Sequence, residues 1–436
     1  MNLVRSLLAP LALICSTFAG VPSLETRHAD WDLSMPMNGV SFERLEVVSK
    51  PVPDRASLRF SRLRSIKGNF EIQEHPGASS SQNTSAVGAY STQYAIQCYW
   101  DGTPAWLVFD TGSSDTWAVH SEFRCEDMTG HKHPRAACAF GRPYIGDFGA
   151  GEIDGVHFHL SYGSGEEVSG PMGKSNISCG GLSVPGQQVG LANKTYWRGN
   201  NVTVGLLGLA YKSLTNAYYG SMGEEKPWSA IPYTPFLTRA ISQGTTDPVF
   251  SVAIMRNSSD GILAWGGLPP IVYNRKRKAT TDLIIANLAD KDETSWTYSY
   301  YTIVPDGVTW GERSDTTRYP YIVDTGTTMM HLPPPLVETI ATAFEPSAMY
   351  VYQWGSYFVP CDAIPPPFAI VISGVEFWIN PADLIHQDLI DPLTGYCACG
   401  ITSGGAGPYI LGHVFLQNVL AVFDVGGAEM RFYARD

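Results

Sequence analysis

Charge is scarce in this chain: Asp, Glu, Lys and Arg make up 16% of its 436 residues, and the acidic ones prevail, leaving a formal net charge of −12. A chain this poor in Lys and Arg has no stripe with which to neutralise a phosphate backbone, so no nucleic acid partner is expected. The one basic cluster, Arg275-Lys276-Arg277-Lys278, reads as a solvated turn or a processing-sensitive loop. Long apolar runs are also missing. Only Leu7 to Ile14 comes near one, behind Arg5 and ahead of Thr17 and Ala19, which are spaced like the small residues of a signal cleavage site. That run is too short to span a bilayer, and the ending Arg431-Phe432-Tyr433-Ala434-Arg435-Asp436 lacks the hydrophobic tail of a lipid-anchor signal, so no membrane anchor is expected. Residues 1–19 are read as a secretory signal peptide. An even set of cysteines is lacking too: once Cys15 leaves with the signal, seven remain (Cys98, Cys125, Cys138, Cys179, Cys361, Cys397 and Cys399), so at least one thiol has no partner within the chain.

What the chain has in quantity is Gly (43), Pro (30) and aromatic residues (12%), a composition that suits a loop-rich β protein better than a helical one. Its length accommodates two units of ordinary domain size. Asn-x-Ser/Thr sequons begin at Asn83, Asn176, Asn193, Asn201 and Asn257, compatible with the secretory pathway.

The strongest signal is a stretch written nearly twice: Val108-Phe109-Asp110-Thr111-Gly112-Ser113-Ser114 and Ile322-Val323-Asp324-Thr325-Gly326-Thr327-Thr328. Each copy ends an apolar run, as a buried strand entering a tight turn does, and each has two hydroxyl residues after its glycine. The likeness continues downstream, where Leu206-Leu207-Gly208 follows the first copy and Ile410-Leu411-Gly412 the second. This is the pattern of an internal duplication, with each half presenting one carboxylate on a strand-to-turn corner. Two carboxylates brought close cannot both ionise, so they share a proton; such a pair can deprotonate a water as it attacks a carbonyl and protonate the leaving group. Two unrelated turn-capping aspartates are the plainer alternative, since Asp favours turns.

From about Tyr90 onward these motifs make the chain resemble the pepsin-like aspartic endopeptidases, specifically their secreted fungal type. The resemblance implies an all-β, bilobal fold, two pseudo-symmetric lobes with the cleft between them, and a dyad of Asp110 and Asp324 supported by Thr111, Gly112, Ser113, Thr325, Gly326 and Thr327. It implies a flap at His157 to Gly165 carrying Tyr162, Gly163 and Ser164, and a hydrogen bond from Trp117 to the flap tyrosine. Fungal relatives often have Asp where Ser164 stands, which here favours apolar or aromatic residues at the cleavage site. Cys361–Cys397 is the disulfide the resemblance implies, while Cys125–Cys138 is read as a local disulfide closing a loop rich in His, Lys and Arg. His131 and His133 on that loop are an alternative pair of metal ligands, but no metal and no organic cofactor is expected. His413 stands where relatives have an acidic residue and is read as a surface or supporting histidine. The expected partner is an extended peptide or protein substrate, handled by a monomer.

In chain order, residues 20–85 are expected to form a propeptide and linker. Arg55, Arg59, Arg62, Arg64 and Lys67 can lie over an acidic cleft, although a plain disordered tail would look the same. Gly77 to Ala86 reads as a flexible linker by composition. Asp101-Gly102 marks a two-residue hairpin turn ahead of the strand that delivers Asp110. Helices are expected at Pro235 to Ile241 and Leu336 to Phe344, and strands at Pro248 to Ala253, Asp260 to Leu268, Trp296 to Ile303, Pro408 to Phe415 and Val419 to Asp424. The N-terminal lobe is set at 86–250 and the C-terminal lobe at 251–436. Two other readings remain open at this point: a pepsin-like fold that binds or transforms a small metabolite instead of cutting peptides, and a binding β protein of another kind. The expected destination is the exterior or a vacuole.

Overall fold

A computed structural model describes residues 40–42, 80–87, 93–127, 129–255, 260–288 and 297–435. The signal peptide, the basic segment and the sequon at Asn257 lie outside the described residues. Within them the regular structure is mostly strand, with few and short helices, in two lobes. From Ser80 onward the strands are β1 (Ser80–Val87), β2 (Gln93–Trp100) and β3 (Thr103–Asp110), then β4 (Thr116–Glu126). Next come β5 (Glu152–Ser161), β6 (Glu167–Cys179), β7 (Leu182–Tyr196) and β8 (Gly205–Gly208), followed by helix α1 (Phe236–Ser242). Further along come β9 (Phe250–Ile254), β10 (Asp260–Trp265), β11 (Tyr321–Val323), β12 (Met330–Leu332) and α2 (Pro334–Ala341). Last come β13 (Ile410–Leu411), α3 (His413–Leu416), β14 (Val419–Asp424) and β15 (Glu429–Ala434). Among the described residues no helix is long and apolar enough to cross a membrane.

One sheet runs through both lobes, in the order β3-β2-β1-β10-β9-β14-β15 across its middle. This corrects the linker reading of Gly77 to Ala86, because Ser80–Val87 is a strand paired antiparallel to β10 on one side and β2 on the other. Its Ser-Ser-Gln-Asn-Thr-Ser composition has the polarity of a linker. The strand is held by backbone ladder bonds on both edges, which composition does not report. Helix α2 starts two residues earlier than expected, since prolines in a first turn cost no hydrogen bond. Pro408 to Phe415 is a strand only at Ile410–Leu411, after which the chain turns into α3. Of Trp296 to Ile303, Trp296 lies outside the described residues, and of the rest only Thr302–Ile303 is strand.

Each lobe repeats one construction. β8 lies parallel to β3 with Gly208 opposite Asp110, and β13 lies parallel to β11 with Leu411 opposite Val323. The recurring apolar-apolar-Gly motif now has a physical cause. A Cβ on Gly208 would stand 2.4 Å from the Ser114 carbonyl carbon, and one on Gly412 would stand 2.4 Å from the Thr327 oxygen. The loop that follows each aspartate crosses directly over that glycine.

Among the described residues three disulfides are present: Cys98–Cys179, Cys125–Cys138 and Cys361–Cys397. Cys98 and Cys179 are opposed across β2 and β6, a pairing that spacing in the sequence did not indicate. Cys399 is the free thiol, and it is buried. Asp101 and Gly102 both take positive φ, 47° and 82°, forming the tight turn between β2 and β3.

Both crossing glycines are set against backbone atoms, which cannot swing aside as a side chain can. Gly208→Ala or Gly412→Ala should therefore lower unfolding free energy by about 3 kcal/mol. Thermal and denaturant unfolding of the two variants measure this, and an unchanged midpoint would show that the loops are not so constrained.

Candidate active site

The two Asp-Thr-Gly turns meet at the junction of the lobes. Thr111 and Thr325, both fully buried, reach across it reciprocally. The backbone N–H of Thr111 donates to Thr325 Oγ1 at 3.0 Å, and the N–H of Thr325 donates to Thr111 Oγ1 at 3.0 Å. Each hydroxyl then donates to the opposite strand, Thr111 Oγ1 to the Val323 carbonyl at 2.9 Å and Thr325 Oγ1 to the Phe109 carbonyl at 3.1 Å. No donor or acceptor in this square is left over, and the two turns are held as one body.

The carboxyls sit in matching cradles. Asp110 accepts from Gly112 N at 2.7 Å and Ser113 Oγ at 2.5 Å; Asp324 accepts from Gly326 N at 2.7 Å and Thr327 Oγ1 at 2.6 Å. Each glycine lies under the other lobe's carboxyl. A Cβ on Gly112 would stand 2.7 Å from Asp324 Oδ1, and one on Gly326 would stand 2.6 Å from Asp110 Oδ1. A side chain at either position would push the other turn's carboxyl out of its cradle.

Burial raises the Asp110 pKa well above the ordinary carboxylate range, and the nearby charge of Asp324 raises it further; the cradle bonds act the other way. Asp110 thus keeps its proton to a higher pH than an exposed aspartate does. Tyr300, half-buried, lies in the field of both carboxyls: burial, then Asp324, then Asp110 push its phenol up to about 12. Nothing in the local sequence around Tyr300 marked it.

Tyr162 stands at the end of β5 and receives a hydrogen bond from Trp117 Nε1 at 2.8 Å. Trp197 completes an aromatic wall that sequence reading did not foresee. Its ring lies edge-on to Trp117 at 5.2 Å and to Tyr162 at 5.5 Å, and stacks on Phe140 at 5.8 Å. The hairpin closes through Gly165, whose N–H donates to the Tyr162 carbonyl at 2.9 Å with φ +84°. Gly163 and Ser164 form the exposed tip. A carboxylate does stand beside Ser164: Glu166 accepts from Ser164 Oγ at 2.8 Å, and its other oxygen accepts from Arg198 N at 2.8 Å.

His413 is not at the surface. It is buried behind Asp324, with Nε2 donating to the Thr325 carbonyl at 2.6 Å. On the exposed Cys125–Cys138 loop, His133 pairs with Asp127 at 2.9 Å.

The model of the family described as "Eukaryotic aspartyl protease" matches residues 93–434. The chain is 37% identical over 340 residues to the "Probable aspartic-type endopeptidase" of Aspergillus fumigatus, covering 75% of each protein. It is 28% identical over 378 residues to Aspergillopepsin-1 of Aspergillus clavatus, covering 86% of each, and 26% identical to Penicillopepsin-1 of Penicillium roqueforti over 76% of this chain and 75% of that one. The crystal structure of the aspartic proteinase from Irpex lacteus superposes with a TM-score of 0.61, over 82% of this chain and 98% of that one; at 18% identity this likeness speaks for the fold.

A raised Asp110 pKa has a consequence for stability. Its contribution is fully present below the unfolded value near 3.8 and is lost as pH rises through the higher folded value. Asp110→Asn removes that loss. Relative to the unsubstituted chain, the variant should gain ~1 kcal/mol or more between about pH 4 and pH 7, since one pKa unit corresponds to ~1.4 kcal/mol. Unfolding midpoints followed across that range check the sign, and a difference that does not change with pH would contradict the buried, shared proton.

Proposed function

Since the chain belongs to the eukaryotic aspartyl protease family and is an aspartic-type endopeptidase with an all-β, pepsin-like fold, we propose that Asp110 and Asp324 are its catalytic pair. The observation that carries this reading is the reciprocal placement of each turn's glycine beneath the other turn's carboxyl. With one proton between them, the ionised member takes a proton from a water as its oxygen attacks the peptide carbonyl. The protonated member donates to the carbonyl oxygen, and the amine leaves when a proton is returned to its nitrogen. The cradle donors Gly112, Ser113, Gly326 and Thr327 hold the carboxyl planes in place through both steps.

Tyr162, Gly163 and Ser164 are proposed to close over an extended peptide and exclude water, with Trp117 and Trp197 fixing the tyrosine. The aromatic wall favours apolar or aromatic side chains at the cleavage site. Ser164 itself supplies no charge to pair with a basic side chain, and the nearby Glu166 is turned onto Ser164 Oγ and Arg198 N. Activity is proposed to be acidic, because the shared proton must remain and is lost as pH rises through the raised pKa.

The proposed organisation is a signal peptide at 1–19, a basic propeptide whose removal ends before the strand at Ser80, an N-terminal lobe up to residue 250 and a C-terminal lobe at 251–436. Export to the exterior or a vacuole is supported by the signal-like N-terminus and the three disulfides. The protein is proposed to act as a monomer.

The test is cleavage of denatured globin by the acid-matured protein at about pH 4, with and without a statine-type inhibitor. Asp110→Asn and Asp324→Asn should each lower turnover by roughly 10³-fold or more while the protein still folds. Retention of inhibitor-sensitive cleavage in either variant would remove that residue from the pair.

A further inference from the structure

One titratable side chain beside the dyad has no part in the hydrolysis just described. His413 opens α3, is 3% exposed, and has its Nε2 at 2.6 Å from the Thr325 carbonyl. A carbonyl only accepts, so Nε2 carries the hydrogen and the neutral ring keeps its lone pair on Nδ1. That Nδ1 is buried without a hydrogen-bond partner among the described residues. The backbone of His413 is tied to the same turn, its N–H donating to the Thr327 carbonyl at 2.9 Å. Tyr94 lies edge-on against the ring, centroids 4.8 Å apart.

We propose that His413 is a positioning residue for Asp324, holding the Asp324-Thr325-Gly326 turn only while its ring is neutral, and that its protonation ends activity at the acid extreme. The proposal rests on the reading of Asp324 as a member of the catalytic pair. A second proton can enter only at Nδ1, which meets no acceptor among the described residues in a space shut to water. The charged ring is stable only if it moves toward one, and moving releases the Thr325 carbonyl that locates the turn. Burial holds the pKa of this ring down to about 4; the Thr325 carbonyl and Asp324 oppose that shift, and His386 adds to it.

The elements packed against α3 are β9, β12, β13 and β14, and Tyr94 of β2, its pKa raised by burial, meets the His413 ring itself. β9 and β13 bring no ionisable group. β12 brings His331, whose pKa is also lowered by burial, and β14 brings Asp424, held by Arg431. Because the folded pKa lies below the ordinary value of 6.5, the stability this group contributes is present above 6.5 and lost as pH falls through about 4.

The experiment is the pH profile of kcat/KM for the mature enzyme on a synthetic peptide. His413→Gln keeps an N–H that can reach the Thr325 carbonyl and cannot be charged; His413→Phe removes both properties. The unsubstituted enzyme should lose activity about tenfold per pH unit below about pH 4, whereas His413→Gln should stay level to about pH 3 and match the original within about twofold at pH 5. His413→Phe should lower kcat at every pH with KM little changed. An acid limb left in place by His413→Gln, or an unaltered kcat in His413→Phe, overturns the proposal. Should neither variant fold, ring nitrogen resonances of the unsubstituted protein decide it: an Nε2–H ring titrating near 4 supports the proposal, and an Nδ1–H ring or a titration near 6.5 overturns it. Activity surviving in Asp324→Asn would instead strike the reading of the dyad, whatever the limb does.

Discussion

The square of hydrogen bonds between Thr111 and Thr325 is the constraint from which the rest of the site follows. Two carboxyls repel once both have lost their protons, and a cleft between two lobes is the place where such repulsion could open the structure. The threonines prevent it because their hydroxyls and amides are saturated by one another and by the strands behind them. Breaking the contact would leave buried donors and acceptors unpaired on both sides, each costing about 1–3 kcal/mol.

With the turns fixed, placement of the carboxyls becomes a matter of backbone packing. Gly112 and Gly326 let each carboxyl come over the other turn, and Gly208 and Gly412 let each turn cross its neighbouring strand. Four glycines thus act as steric permissions, and their use in two matched pairs explains why the chain repeats short motifs while the rest of its two halves diverges. The two sides are not electrostatically equivalent. Behind Asp324 stand His413 and His331, and the Asp324 charge opposes the burial that lowers both of their pKa values. Asp110 instead belongs to the lobe that carries the aromatic wall of Trp117, Tyr162 and Trp197.

The strand-turn corners, the all-β architecture and the short hairpin at Asp101-Gly102 were legible in the sequence because each depends on local chemistry: an apolar run, then residues that tolerate a tight turn. Ser80–Val87 was misread for the complementary reason. Its polarity is that of a linker, and only its two strand neighbours, which lie far apart in the chain, make it part of the sheet. The Cys98–Cys179 bridge and Trp197 against Tyr162 were hidden in the same way, as they join segments whose separation carries no periodic signal.

By itself, then, the sequence determined the chemistry on offer: two acidic turns, a glycine after each, hydroxyls to hold them, and a glycine-rich hairpin ending in a tyrosine. Tertiary structure decided what those groups do to one another. A raised carboxyl pKa and a histidine whose Nδ1 meets no partner among the described residues are properties of burial and distance, and they arise only when turns 214 residues apart are brought into one low-dielectric space.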